Sequence, residues 1–157
     1  MAGSSQEQAD LAFMRRALEL AERARGRTGD NPHVGSLITR GERILGEGWT
    51  SEPGQNHAEI NALLTAAHAG HDVRDATLYA TVEPCSFAGR TPACSLTILA
   101  RGIARVVIGI RDPHPLVNGR GIVQLRACGV EVVEGIRAEQ IAAALGDWLA
   151  KSSSAPG

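Results

Sequence analysis

Apolar and polar positions along this chain switch between two periods, and the switches mark out its elements. Leu11, Met14, Leu18 and Ala21 recur at helical spacing, and Glu19 with Arg23 predicts an i,i+4 ion pair on the outer face. Gly29, Asp30 and Pro32 break that helix. Residues 34–39 and 43–49 then read as two strands, with Gly41-Glu42 as a hairpin turn. A helix over 58–69 shows Ile60, Leu63, Leu64 and Ala67 on one face, and 76–82 follows as a buried strand. Two further helix–strand pairs come next, 94–101 with 105–110 and 119–128 with 130–133. Gly102 and Gly129 stop the two helices, since glycine supplies the left-handed cap. A last helix over 138–150 turns Ile141, Leu145, Trp148 and Leu149 inward. Strands separated by helices imply parallel neighbours joined by right-handed crossovers. The expected fold is therefore α/β, a three-layer α/β/α sandwich. Its mixed five-stranded sheet combines an antiparallel hairpin with parallel remaining strands. Residues 1–8 and 151–157, small and polar, read as flexible tails around one domain over 9–150.

Composition narrows the class without redirecting it. A chain of 157 residues, 43% hydrophobic and 21% charged, is large enough to bury a core without disulfide staples. A net charge of −1 lacks the basic stripe that nucleic-acid binding requires, so no nucleic-acid partner is expected. No apolar run approaches the roughly 18 residues of a membrane span, and no signal peptide pattern opens the chain. The expected location is the cytoplasm, without a membrane partner. Three cysteines form an odd set, and metal binding explains two of them better than a disulfide does.

The chemistry concentrates in two short segments, His57-Ala-Glu59 and Pro84-Cys85 with a second thiol at Cys94. One imidazole and two thiolates form the ligand set of a catalytic zinc site, leaving one tetrahedral position open. Glu59, adjacent but not a ligand, is placed to carry protons between water and a substrate nitrogen. The predicted elements place His57 and Cys94 at helix N-termini, whose positive dipole ends favour thiolate over thiol. The bland alternative, a surface histidine and two structural cysteines, needs four matching parts to arise independently.

With these motifs in view, the chain resembles a family. Pro84-Cys-Ser-Phe-Ala-Gly-Arg-Thr-Pro-Ala-Cys94 is similar to the metal loop of the riboflavin-pathway pyrimidine deaminases, a branch of the zinc-dependent cytidine deaminase-like superfamily. Asn31-Pro-His-Val-Gly35 and Asp112-Pro-His-Pro-Leu-Val-Asn-Gly-Arg-Gly121 resemble two further segments of that branch. The resemblance spans about Leu11 to Leu149. It implies a cytidine deaminase-like fold, Zn2+ bound by His57, Cys85 and Cys94, and Glu59 as proton shuttle. It also implies hydrolytic removal of an amino group from a pyrimidine or related amino-heterocycle. Asn31 would bind the ring, Arg90 would lie near a phosphate, and Asp112 would line the pocket. Members commonly continue into a reductase domain; a stand-alone deaminase is the expectation here. Small domains of this superfamily commonly assemble, so a homodimer or larger homo-oligomer is expected, through the faces of 119–128 or 138–150.

The departures from that branch fall around the substrate and leave the metal set intact. Phe87-Ala88 stand where the family has histidine followed by histidine or tyrosine. His114 replaces an asparagine, and Thr50 lies where a histidine is common. Two readings follow: a deaminase with a rebuilt pocket and a specialised biosynthetic substrate, or neutral drift in a riboflavin-pathway enzyme. Phe87, one of five aromatic residues, could stack on a flat heterocycle or pin its loop to the core. His114 and His33 could each serve the pocket or merely rim it. Cys128 reads as a small buried hydrophobe rather than a third thiolate ligand. Two other classes stay open: a nucleic-acid base deaminase, and a non-catalytic module whose zinc only holds the fold.

Overall fold

The computed structural model describes residues 4–86, 93–113 and 117–154. Eleven elements follow in the order α1 (Ser5–Glu22), β1 (Gly35–Arg40), β2 (Arg43–Trp49), α2 (Ala58–His68), β3 (Thr77–Val82), α3 (Cys94–Ala100), β4 (Arg105–Ile110), α4 (Arg120–Ala127), β5 (Glu131–Glu134), α5 (Ala138–Ala144) and α6 (Gly146–Ser154). The strands form one sheet in the order β2-β1-β3-β4-β5. β1 runs antiparallel to both β2 and β3, while β3, β4 and β5 are parallel. This is the mixed sheet, part hairpin and part crossover, that the pattern predicts.

Alternation along the strands builds the three layers. Ile38, Leu78 and Val106 point to one face, where Ala62 and Leu63 of α2, Ile98 of α3 and Leu125 of α4 cover them. Leu37, Tyr79 and Val107 point to the other, under Met14 and Leu20 of α1 and Ile141 of α5. α2 lies unusually close to the sheet edge. A Cβ at Gly48 would stand 2.4 Å from the Ala62 nitrogen, and one at Gly46 would stand 2.5 Å from the Ala62 carbonyl oxygen. Only glycine on β2 lets the helix backbone settle there, and that approach fixes the helix that carries His57 and Glu59.

Several local expectations are corrected. α1 starts at Ser5, inside the stretch read as a tail, because the Ser4 hydroxyl caps it by accepting from the Glu7 N–H at 3.1 Å. Its buried face is Asp10, Met14, Ala17, Leu20 and Ala21, and Leu11 is exposed. The helix is rotated because Asp10 is drawn inward: it accepts from Tyr79 at 2.6 Å and from both terminal nitrogens of Arg105 at 2.8 and 2.6 Å. Glu19 pairs with Arg16 instead of Arg23, and the Arg23 guanidinium lies over the Trp49 ring. On α2 the core face is Ala62, Leu63 and Ala66, since alanine suits so short a distance to the sheet. The single helix expected over 138–150 is two, divided at Leu145 before the poor helix former Gly146, and the second runs to Ser154. Leu145 and Ile141 are nonetheless buried as predicted, with Trp148 and Leu149 packed against them.

Candidate metal centre and active site

The metal-ligand side chains are delivered by three different elements at the same end of the sheet. His57 is the N-cap of α2, with extended backbone, and its own carbonyl accepts from the Asn61 N–H at 3.1 Å. Asn61 also donates its side-chain amide to the Trp49 carbonyl at 2.7 Å and to the Ser51 hydroxyl at 2.9 Å, tying down the loop that leads to His57. Cys85 lies three residues beyond β3, and Cys94 opens α3. The two thiol-bearing ends are joined through backbone: the Cys94 N–H donates to the Cys85 sulfur at 3.1 Å, and the Ser95 N–H donates to the Cys85 carbonyl at 3.0 Å. A sulfur that receives an N–H from a helix N-terminus is a favoured thiolate.

The cluster is of zinc-binding size, with the His57–Cys94 pair tighter than a tetrahedral site. Bonds of about 2.3 Å to sulfur and about 2.0 Å to nitrogen at tetrahedral angles require ligand atoms roughly 3.5–3.8 Å apart. His57 Nδ1 lies 3.2 Å from the Cys94 sulfur and 3.7 Å from the Cys85 sulfur, and all three ligand atoms fall within 4.8 Å of one another. Among the described residues the metal-binding group comprises these three side chains. Hydrogen bonding from Cys94 brings the Cys85 thiol well below its usual range, and the same contact with burial pushes Cys94 up.

Glu59, on the first turn of α2, is 4% exposed. Burial raises its carboxyl above the usual range, while the facing His57 draws it back down. A buried carboxyl facing the cavity can accept a proton and return it. Glu59 lines a cavity of about 180 Å³ together with Asn31, Pro32, Thr50, His57, Glu83, Cys85, Asp112 and Val117. Asn31, Thr50 and Asp112 thus line one cavity with the candidate ligands His57 and Cys85. Thr50 is committed to the scaffold: its hydroxyl accepts from the Val34 N–H at 2.9 Å and lies 3.3 Å from the Val34 carbonyl. Phe87, Arg90 and His114 lie outside the described residues. His33 opens onto a separate groove bordered by Arg25 and Trp148, and Cys128 is exposed rather than buried.

The residue that sequence reasoning missed is Glu83. It is 5% exposed, lines the same cavity, and accepts from the backbone N–H groups of Asp112 and Gly119, each at 2.9 Å. An acidic residue directly after a strand that reads as buried was the available signal.

Fold and donor set define a zinc-binding deaminase domain, and comparison with known proteins agrees. The chain belongs to the cytidine and deoxycytidylate deaminase zinc-binding family, whose match covers residues 7–110. It is 48% identical over 130 residues to the riboflavin biosynthesis protein RibD of Synechocystis, covering 83% of this chain and 34% of that protein. It is 41% identical over 131 residues to a diaminohydroxyphosphoribosylamino-pyrimidine deaminase of Buchnera aphidicola, covering 83% of this chain and 87% of that protein. In structure it matches RibD of Acinetobacter baumannii with a TM-score of 0.90 and 37% identity, over 96% of this chain and 42% of that one. The chain spans about a third of the length of the RibD proteins it matches.

Proposed function

We propose that this chain is a zinc-dependent hydrolytic deaminase of an aminopyrimidine, and that the pyrimidine is the diaminohydroxyphosphoribosylamino compound named for its Buchnera relative. The observation that carries the reading is one cavity holding both a three-ligand His–Cys–Cys group and a buried carboxyl, Glu59, outside that group. A metal serving only to hold the fold has no use for such a neighbour. His57, Cys85 and Cys94 would hold the zinc, which supplies Lewis acidity that brings the ionisation of water toward neutral pH. The overall reaction exchanges a ring amine for oxygen, consuming water and releasing ammonia. Glu59 takes the proton released as water adds to the amine-bearing carbon and returns it to a ring nitrogen. The same carboxyl then takes the hydroxyl proton of the adduct and delivers it to the departing nitrogen, so that the C–O bond becomes a carbonyl as the C–N bond breaks and ammonia leaves. Asn31 and Asp112, on the cavity wall, offer polar groups to the ring edge. Thr50, on the same wall, also braces the segment that carries Asn31, through the Val34 N–H and the Pro32 carbonyl.

No described helix is long and apolar enough to cross a membrane. The same reading includes a cytoplasmic homo-oligomer. Leu96 and Val123, 53% and 67% exposed on the neighbouring helices α3 and α4, are the apolar side chains self-association would cover. Sedimentation of the parent and of Val123→Glu tests that part.

The functional test compares the parent with Glu59→Gln for bound zinc and for turnover. Both should carry one zinc per chain, and turnover should fall by roughly 10²–10⁴ in the variant. Full turnover by the variant would remove Glu59 from the mechanism.

A further inference from the structure

We propose that Glu83 is a positioning residue whose buried carboxylate latches both ends of the β4–α4 connection onto the turn that carries Cys85. Glu83 directly follows β3, and its N–H donates to the Ile110 carbonyl at 3.0 Å, so the chain is still paired with the end of β4 when the side chain turns inward. One carboxylate oxygen, Oε1, accepts from Asp112, just beyond β4, and from Gly119, the N-cap of α4. Two backbone amides seven residues apart are thereby pinned to one atom. Burial raises the Glu83 carboxyl above its usual range, and the Gly119 amide, at the positive end of α4, and the Asp112 amide draw it back down.

The attachment continues towards the metal ligand. Gly121 packs on the peptide between Glu83 and Cys85 so tightly that a Cβ there would lie 2.3 Å from the Pro84 carbonyl oxygen. Cys85 is in turn fastened to α3 by the Cys94 and Ser95 amides. The first turn of α4, the Glu83–Cys85 turn and the start of α3 therefore form one body, to which Asp112 is attached through its own N–H. The other carboxylate oxygen, Oε2, is buried and has no hydrogen-bond partner among the described residues. Burying a carboxylate costs several kcal/mol that an apolar residue would avoid. What the charge secures is a fixed distance between Asp112, on the substrate wall, and Cys85, on the metal wall, of the same cavity.

The test uses zinc-loaded parent protein, Glu83→Ala and Glu83→Gln, the second keeping Oε1 as a neutral acceptor. Hydrogen bonds to charged groups resist opening strongly enough that the Asp112 and Gly119 amides should exchange roughly 10- to 100-fold faster in Glu83→Ala. Amides within β3 and β4 should keep parental rates, bound zinc should be unchanged, and Glu83→Gln should fall between. With the diaminopyrimidine phosphate, KM should rise on the order of tenfold in Glu83→Ala with a smaller change in kcat, and Glu83→Gln should recover most of it. Parental exchange at both amides overturns the latch. Faster exchange with unchanged KM overturns its positioning role. Should Glu83→Ala fail to fold, Glu83→Gln carries both measurements with smaller expected effects. A parent enzyme inert towards this substrate would refute the substrate reading, and amide exchange alone would then decide the latch.

Discussion

Replacing Gly48 by alanine should damage the metal site without touching a ligand. The new Cβ would stand 2.4 Å from the Ala62 nitrogen and 2.7 Å from the Ala58 carbonyl oxygen. The nearer contact is 1.0 Å short of the 3.4 Å at which ordinary contact begins, so helix and strand must separate by about that much. Overpacking of this kind costs about 1–3 kcal/mol. The alanine also restricts the unfolded chain, which offsets about 0.4–1 kcal/mol. The net loss, about 1–2 kcal/mol, corresponds to a melting temperature roughly 2–8 °C lower for a chain of this size. The strain falls on the first turn of α2, so His57 and Glu59 move, while Cys85 and Cys94 stay anchored to each other through α3. A misplacement near 1 Å should cost roughly 10²-fold in turnover and weaken zinc binding. Gly46→Ala serves as control, because its close contacts are to the Ala62 oxygen and the Ala66 nitrogen, one turn further from the metal. It should lower the melting temperature similarly and disturb zinc less. Thermal melts of metal-free and zinc-loaded protein, with titration against a chelator, separate the two effects. A Gly48→Ala protein with parental melting temperature and parental zinc affinity would refute the argument that β2 glycines set the position of α2.

Further outcomes follow from the same geometry. His57→Ala should lose stoichiometric zinc, and added zinc should no longer raise its melting temperature, as mass action requires of a chain that has lost its site. Removing the metal from the parent with a chelator should lower its melting temperature and abolish turnover, and zinc should restore both. Asp10→Asn should destabilise the fold by about 3 kcal/mol at neutral pH, because it disrupts a buried ion pair with Arg105. Burial alone would raise the Asp10 carboxyl, yet hydrogen bonds from Arg105 and Tyr79 and the Arg105 charge hold it below its ordinary value of 3.8. A depressed folded pKa gives stability that is complete above the unfolded value and lost as pH falls through the folded one. The gap between parent and Asp10→Asn in denaturant melts should therefore be constant above about pH 5 and close as the pH drops below 4. A gap that persists unchanged at pH 2 would contradict the assignment.

The strands and the metal set were legible because each has a local signature. Short apolar runs such as Thr77–Val82 and the His57-x-Glu59 and Pro84-Cys85 motifs carry their meaning within a few residues. What was hidden depends on distant partners. Leu11, Met14 and Leu18 gave a plausible stripe on α1, but the helix is turned by Asp10, whose cation stands 95 positions away on β4. Leu64 and Ala67 looked like core on α2, whereas the two β2 glycines admit only the narrow Ala62–Ala66 face. Glu83 stayed invisible for a related reason. Its partners are backbone amides of a connection between later elements, and such donors leave no trace in residue type. Thr50, expected at the substrate, lines the cavity, and its hydroxyl serves the Pro32–Val34 backbone, a role that only the folded hairpin reveals.

The central claim, a hydrolytic deaminase built on His57, Cys85, Cys94 and Glu59, is tested most directly by ammonia release from the diaminohydroxyphosphoribosylamino-pyrimidine. The assay uses zinc-loaded protein, with Glu59→Ala loaded to the same zinc content as blank. The account predicts stoichiometric ammonia and the oxygen-substituted pyrimidine from the parent, and neither above background from the blank. A folded, zinc-filled parent that releases no ammonia, or a Glu59→Ala protein that releases it at the parental rate, would contradict it.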